Sequence, residues 1–262
     1  MAWLRRLRKP LLTNGWPAGY DRQVLSSIDS TNDEARRQYQ TLQGPKWILA
    51  LQQTAGRGRR GRPWADPTGN FAATLVLPDA GDPATAALRS FVASLALYEA
   101  FVAATGREDL FTLKWPNDVL LNNGKVAGIL LESIGATTGG GMGMCIGIGV
   151  NLAAAPSTDQ VEPGAVAPKA LFRETGCRIS PEDFLDLLAP AFARYDTQMV
   201  QYGFDAIRQP WLSRAARIGE VITARMGTET VTGVFETVDQ QGQLVLSTPS
   251  GQRAIAAADV FF

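Results

Sequence analysis

Residues 56–64 read Gly-Arg-Gly-Arg-Arg-Gly-Arg-Pro-Trp, and no other stretch narrows the choice of fold as far. Four arginines and three glycines fill its first seven positions. The glycines permit positive φ and let backbone N–H groups approach a ligand closely. The arginines carry planar forks that match phosphate or carboxylate oxygens two at a time. Trp64 can cover a flat ring or an arginine stem. Two readings stand at this point: a loop holding an anion with an apolar or aromatic appendage, or a basic loop lying along nucleic-acid phosphates.

The flanks separate these readings. Upstream, 46–53 opens as an apolar run suited to a buried strand; downstream, Gly69-Asn70-Phe71 leads into a second such run over 72–77. A loop pinned between two core strands is carried on a scaffold, which favours a ligand site. A second phrase, Lys114-Trp115-Pro116-Asn117-Asp118, runs through apolar 119–121 to Asn123-Gly124 and then Lys125-Val126-Ala127-Gly128-Ile129. Asn-Gly between apolar strands is hairpin chemistry, and Gly128 leaves room for a ligand or another backbone. A third phrase, Gly147-Ile148-Gly149-Val150-Asn151-Leu152, is a glycine-broken strand ending in an amide able to read a base edge or a ureido group.

Composition narrows the class. The 262 residues suffice for one large domain with a core and one small domain. Lys plus Arg and Asp plus Glu each total 25, so no global field draws nucleic acid, and the basic run is a local site. The absence of histidine excludes histidine-dependent triads and most zinc sites. Cys145 and Cys177 have no Cys-x-x-Cys spacing and read as buried thiols of a reducing, cytoplasmic setting. By sequence no stretch approaches the roughly 20 apolar residues of a membrane span, and no membrane partner is expected. Residues 1–20 read as a basic tail carrying Arg5, Arg6, Arg8 and Lys9 without a signal-peptide core.

The coarse pattern is α/β: a mixed sheet with flanking helices over 21–214, followed by a small C-terminal β-barrel over 215–262. A strand is predicted near 22–28, then a helix capped at Ser30 or Thr31 reaching about residue 42. The stripe Leu88, Phe91, Val92, Leu95 and Val102 predicts a core helix over 83–105. Strands follow near 111–115, 118–122, 125–133 and 143–150. Gly139-Gly140-Gly141-Met142-Gly143 fits no phosphate-loop pattern and reads as a hairpin connection. Pro181 opens a helix that Pro190 should kink or end. Short strands at 220–225, 230–238, 243–247 and 253–256 predict the barrel.

Ser30-Thr31-Asn32, the run 56–64, Lys114 to Asp118, 124–130 and 149–152 occur in the order found in biotin protein ligases. The resemblance covers 24–152, and a small barrel is expected after it. Some members carry an N-terminal DNA-binding domain and act as repressors; the short stretch before residue 21 predicts the form without it. The resemblance implies an ATP-dependent biotin–[biotin carboxyl carrier protein] ligase. Biotin's carboxylate attacks the α-phosphorus of ATP to give biotinyl-5′-AMP, and a lysine of a biotin-dependent carboxylase's carrier, such as that of acetyl-CoA carboxylase, then takes the acyl group. It further implies that Ser30, Thr31, Asn32, Gln52 and Gly56 bind biotin, and that Arg57, Gly58 and Arg59 close over biotin and adenylate. Lys125 would contact the reacting carboxylate and phosphate, Lys114 the phosphates, and Trp64, Asn117 and Asn151 the adenine. Asp118 would orient Lys114 or help hold Mg²⁺, which otherwise travels on the ATP phosphates. Lys125, Arg59 and Lys114 would be the catalytic set, and the resemblance leaves room for a homodimer.

Plainer readings accompany these. Ser30 and Thr31 can simply cap a helix, Gln52 can satisfy buried backbone, Asn117 can be a turn residue, and Trp64 or Trp115 can be core. Arg60 and Arg62 read as surface charges, and Lys125 as edge protection. Two other functions compete. A lipoate or octanoate ligase shares the adenylation logic, but its glycine-rich signature is built around a histidine that this chain lacks. A nucleic-acid-binding protein would need the arginine loop free for phosphates.

Overall fold

The structure is a computed structural model that describes residues 15–136, 142–157, 161 and 164–262. The first sheet holds β1 (Asp21–Leu25), β2 (Lys46–Ala50), β3 (Phe71–Leu77), β4 (Phe111–Lys114), β5 (Asp118–Leu121), β6 (Gly124–Ala136) and β7 (Met142–Val150). Their spatial order is β1-β2-β3-β7-β6-β5-β4. Only β1 and β2 run parallel; the remaining neighbours are antiparallel, so the sheet is mixed as the sequence predicts.

Alternation along the strands assigns the two faces. On β2, Trp47 and Leu49 join the main core, while Ile48 joins a smaller cluster with Ala35, Val76, Ile134 and Cys145. The main core lies under α3 (Arg89–Thr105) and α5 (Pro181–Tyr202). The smaller cluster lies under α1 (Thr31–Gln38), which is capped by Ser30 as expected and ends in a 3-10 turn at Tyr39–Thr41. Ring contacts such as Trp47 edge-on to Phe192 and Phe71 edge-on to Phe184 tie α5 to the sheet.

Several expectations need correction. The helix expected over 83–105 comes as α2 (Pro83–Ala87) and α3, because Leu88 N–H turns back to Thr85 O and re-aims the chain. By length and composition this 23-residue stretch would qualify as a membrane span, contrary to the sequence reading, but it is mostly buried in the core. Pro190 does not end α5, which continues through it to Tyr202. A proline costs a helical hydrogen bond, yet Phe184, Leu185, Leu188, Ala189, Ala191 and Phe192 around it are all buried and hold the helix in place. The Gly139–Gly141 part of the predicted hairpin connection lies outside the described residues.

Beyond α4 (Leu171–Thr175) and α6 (Asp205–Leu212) lie β8 (Val221–Met226), β9 (Glu229–Val238), β10 (Leu244–Thr248), β11 (Gly251–Ile255) and β12 (Asp259–Phe261). They form an open antiparallel sheet in the order β11-β10-β9-β8-β12, not the closed barrel expected. Closure would need β11 to bond β12, but β12 is three residues long, pairs only with β8, and runs beside the first sheet's ligand cavity. Trp115, buried as core, donates its Nε1–H to Gly242 O at 3.0 Å and so joins the two sheets.

Candidate ligand-binding site

A cavity of about 580 Å³ opens on the α1 face of the first sheet. The sequence of β7 explains why it is there. Met144, Ile146, Ile148 and Val150 point into the main core, so Cys145, Gly147 and Gly149 share the opposite face. Gly149 sits opposite Gly128 of β6. A side chain at Gly149 would lie 2.4 Å from the Trp64 ring, and one at Gly147 would lie 2.5 Å from Asn32 Oδ1. The glycines are the floor on which Trp64 and Asn32 rest.

One end of the cavity is neutral and polar. Ser30, Thr31 and Asn32 are all buried at the start of α1. Ser30 Oγ accepts from Asp33 N–H at 3.4 Å while the residue also lines the cavity, so capping and lining coexist. Thr74 Oγ1 lies 2.5 Å from Asn32 Oδ1 and 2.8 Å from Thr31 Oγ1. Thr31 N–H and Oγ1–H both donate to Gln53 Oε1, at 2.8 and 3.0 Å. Asn32 Nδ2–H donates to Glu132 Oε2 at 2.6 Å.

The other end is cationic. Lys125 Nζ lies 2.7 Å from Asp118 Oδ1, and Lys114 Nζ 3.8 Å from Asp118 Oδ2. Burial alone would raise the Asp118 pKa, but the two ammonium groups outweigh it and hold the carboxyl below its usual range. Burial pushes the Lys114 pKa down, with Asp118 opposing. Lys125 Nζ also stands 5.7 Å from the Trp64 ring centroid. Asn117 donates through Nδ2 to Ile129 O at 2.6 Å. Asn151 donates to Lys169 O at 3.1 Å, while its buried Oδ1, like Trp64 Nε1, has no partner among the described residues.

The arginine loop closes over the cavity between these ends. Its strands meet through Trp64 N–H to Gly56 O at 2.9 Å and Gly58 N–H to Arg62 O at 2.7 Å, with Arg60 and Gly61 at φ 57° and 72° forming the tip. Each arginine finds a carboxylate. Arg57 grips Asp33 in two-pronged fashion at 2.5 and 2.7 Å and reaches Glu132 at 3.4 Å. This hydrogen bonding keeps Asp33 below and Arg57 above their ordinary pKa values. Arg59 donates to Asn117 Oδ1 at 3.2 Å and stands 3.9 Å from Asp259. Arg60 and Arg62 also pair with Asp259, which lies on β12.

Most residues singled out by sequence line this one cavity: Ser30, Thr31, Asn32, Arg57, Gly58 and Arg59, with Trp64, Lys114, Asn117, Asp118, Lys125 and Asn151. Two do not. Gln52 is exposed, and its neighbour Gln53 faces the cavity in its place, anchored by its N–H to Asp66 Oδ2 at 2.9 Å. Strand β2 ends at Ala50, so the odd–even rule no longer fixes which glutamine turns inward. Gly56 lies outside the lining and is instead a close-packing position, where a side chain would meet Gln53 Nε2 at 2.8 Å. Sequence reading missed Gln53, Thr74, Glu132 and Asp259. For Thr74 the period-2 pattern of β3 was a usable signal; for Asp259 no local signal existed.

No three His, Cys, Asp or Glu side chains converge among the described residues, and Asp118 is already shared by two lysines. An all-protein Mg²⁺ cage is thus not present among the described residues; an ion carried by a nucleotide's own phosphates needs no such cage.

Comparison with known proteins adds an independent line. Residues 24–151 match the biotin/lipoate A/B protein ligase family, and residues 218–262 match the biotin protein ligase C terminal domain. A biotin–[acetyl-CoA-carboxylase] ligase of Paracoccus denitrificans is 55% identical over 239 residues, covering 91% of this chain and 99% of its own. The bifunctional ligase/repressor BirA of Escherichia coli K12 is 30% identical over 225 residues, covering 85% of this chain and 68% of its own. The fold of the Aquifex aeolicus biotin protein ligase, solved with biotin and ATP, superimposes with a TM-score of 0.79 at 22% identity, covering 92% of this chain and 98% of that one.

Proposed function

The chain belongs to the biotin protein ligases of the biotin/lipoate A/B family, and from that premise we propose that it converts biotin and ATP to biotinyl-5′-AMP and then biotinylates a carrier lysine of a biotin-dependent carboxylase. The observation that carries this reading is the division of one cavity into a neutral hydrogen-bonding end and a cationic end. Biotin is divided in the same way: its ureido head offers N–H donors and a carbonyl acceptor, and its tail is a carboxylate.

At the neutral end, Ser30, Thr31, Asn32 and Gln53 supply donors and acceptors for the head. At the other end, the carboxylate must attack the α-phosphorus although both are anionic. Lys125 neutralises charge between them, and Asp118 aims its ammonium from 2.7 Å. Lys114 and Arg59 add positive charge at the phosphates. Trp64 and Asn151, which line the same cavity, border the adenine. In the first step the carboxylate oxygen bonds to phosphorus and pyrophosphate leaves. In the second, the lysine nitrogen bonds to the acyl carbon and AMP leaves.

Lipoate fits less well. Its dithiolane ring offers neither N–H donors nor a carbonyl to Thr31, Asn32 and Gln53, so the polar end would gain no hydrogen bonds from it. Nucleic acid fits less well too, because Arg57, Arg60 and Arg62 already pair with Asp33, Glu132 and Asp259. Exchange of labelled pyrophosphate into ATP with biotin, lipoate or octanoate present tests the reading. Exchange with biotin alone is the expected result; exchange with lipoate but not biotin would overturn it.

A further inference from the structure

A second, smaller cavity of about 200 Å³ adjoins the first. Arg59, Pro116, Asn117, Ile129 and Leu130 line both, so the two share a wall. The centre of that wall is the Arg59–Asn117 hydrogen bond at 3.2 Å. The outer mouth is formed by small exposed side chains from distant parts of the chain: Ala87 at the end of α2, and Ala256 and Ala257 between β11 and β12. The lining mixes apolar side chains such as Ile129 and Leu131 with the polar Asn117 and Arg59. Ser90 lies in it with its hydroxyl turned onto Pro116 O at 2.9 Å.

We propose that this cavity is the passage by which the carrier's acceptor lysine reaches the activated acyl group, an inference that rests on the ligase reading above. The space is too small for a nucleotide and suits a single extended side chain with an apolar stem, which lysine has. The chemistry also agrees. The attacking amine must be neutral, whereas a free lysine with a pKa of about 10.4 is charged. Arg59 is the one ionisable side chain lining the passage among the described residues. Asp118 and Asp259 stand beyond it, held by the lysines and by the loop arginines. A passage that ends at a guanidinium and has no carboxylate in its lining favours the uncharged amine. There the nitrogen lone pair forms the bond to the acyl carbon, the bond from that carbon to the phosphate oxygen breaks, and AMP leaves with the electron pair. The amine's surplus proton passes to water.

The test narrows the mouth without touching the larger cavity. Ala256→Trp and Ala87→Phe are each compared with the wild type in four readouts: biotin-dependent pyrophosphate exchange, and decay of preformed biotinyl-5′-AMP on the enzyme with carrier domain, with n-butylamine, or with hydroxylamine. Exchange and hydroxylamine decay should stay within about twofold of wild type, while carrier and n-butylamine reactions should slow by about tenfold or more. Wild-type rates with carrier in both variants would overturn the passage. So would a loss confined to carrier, because the alanines would then be only a docking surface. Absence of exchange in the wild type would instead defeat the ligase reading on which the passage rests.

Discussion

At one end of the cavity Thr31, Asn32, Thr74 and Gln53 meet through short hydrogen bonds beside the Ser30 cap, and Asn32 also donates to Glu132. At the other, Lys114, Lys125 and Asp118 meet as charges, and the loop arginines are tied down by Asp33, Glu132 and Asp259. The neutral end is held by short bonds inside one packed layer, so it is shaped before any ligand arrives. The charged end spends its cations on the protein's own carboxylates, so a ligand must take over partners that already exist. On the proposed reading, specificity is assigned to the first end, and closure and chemistry to the second. Experiments that injure one end without the other test that division.

The largest effect is expected from Lys125→Met, which removes the cation between carboxylate and phosphate. Adenylation should fall by roughly 10²- to 10³-fold, the usual range for losing one electrostatic stabiliser, with biotin affinity changing far less. Pyrophosphate exchange at saturating and limiting biotin separates the two quantities. An unaltered rate in a folded protein would remove Lys125 from the chemistry.

Arg59→Gly should act after the adenylate is made. Losing one charged hydrogen-bonding group costs roughly 1.5–3 kcal/mol, or about ten- to hundredfold in adenylate dissociation. A leaked acyl donor would then label lysines of bystander proteins. Dissociation no faster than wild type would assign the bracing to Arg57, whose bidentate grip on Asp33 is the tighter contact.

Gly147→Ala injures the neutral end alone. The added methyl would stand 2.5 Å from Asn32 Oδ1 and displace the partner of Thr74. Overpacking of this kind costs about 1–3 kcal/mol of stability; moving Asn32 away from the head, a loss of about one hydrogen bond, should weaken biotin binding about tenfold by calorimetry, while the rate at saturating biotin stays near wild type. Loss of rate with unchanged affinity would contradict the division of labour.

The smallest effect is expected from Asp259→Asn, which frees the loop tip from β12. Partly exposed ion pairs contribute about 0.2–1 kcal/mol each. The loop should open a few times more often, read as faster trypsin cleavage after Arg59 or Arg60. Cleavage at the wild-type rate would show that the loop is held by Arg57 and its own backbone bonds instead.

Much of this layout was legible in the chain. The glycine-broken strand ending at Asn151 was read as such, and the period 2 of any strand is what turns its glycines to one face. The apolar flanks of the arginine run showed that it was carried on a scaffold, and Asn123-Gly124 marked the hairpin before Lys125. Where local rules ended, so did legibility. Past the end of β2 nothing distinguished Gln52 from Gln53, and a one-residue difference decided which faces the ligand. Pro190 carried a strong local penalty that buried neighbours overrode.

The sequence by itself determined the catalytic fold class, the phrases that build the cavity and the sign of charge at its reactive end, since these follow from periodicity, turn chemistry and residue type. Only the tertiary structure decided that Asp259 meets arginines some 200 positions away, that the last strands form an open sheet, and that Ala87 and Ala256 line one small cavity. Such pairings join segments that exert no influence on each other's local conformation. They are selected by the burial of a core common to both sheets, a property of the whole chain that no window of sequence contains.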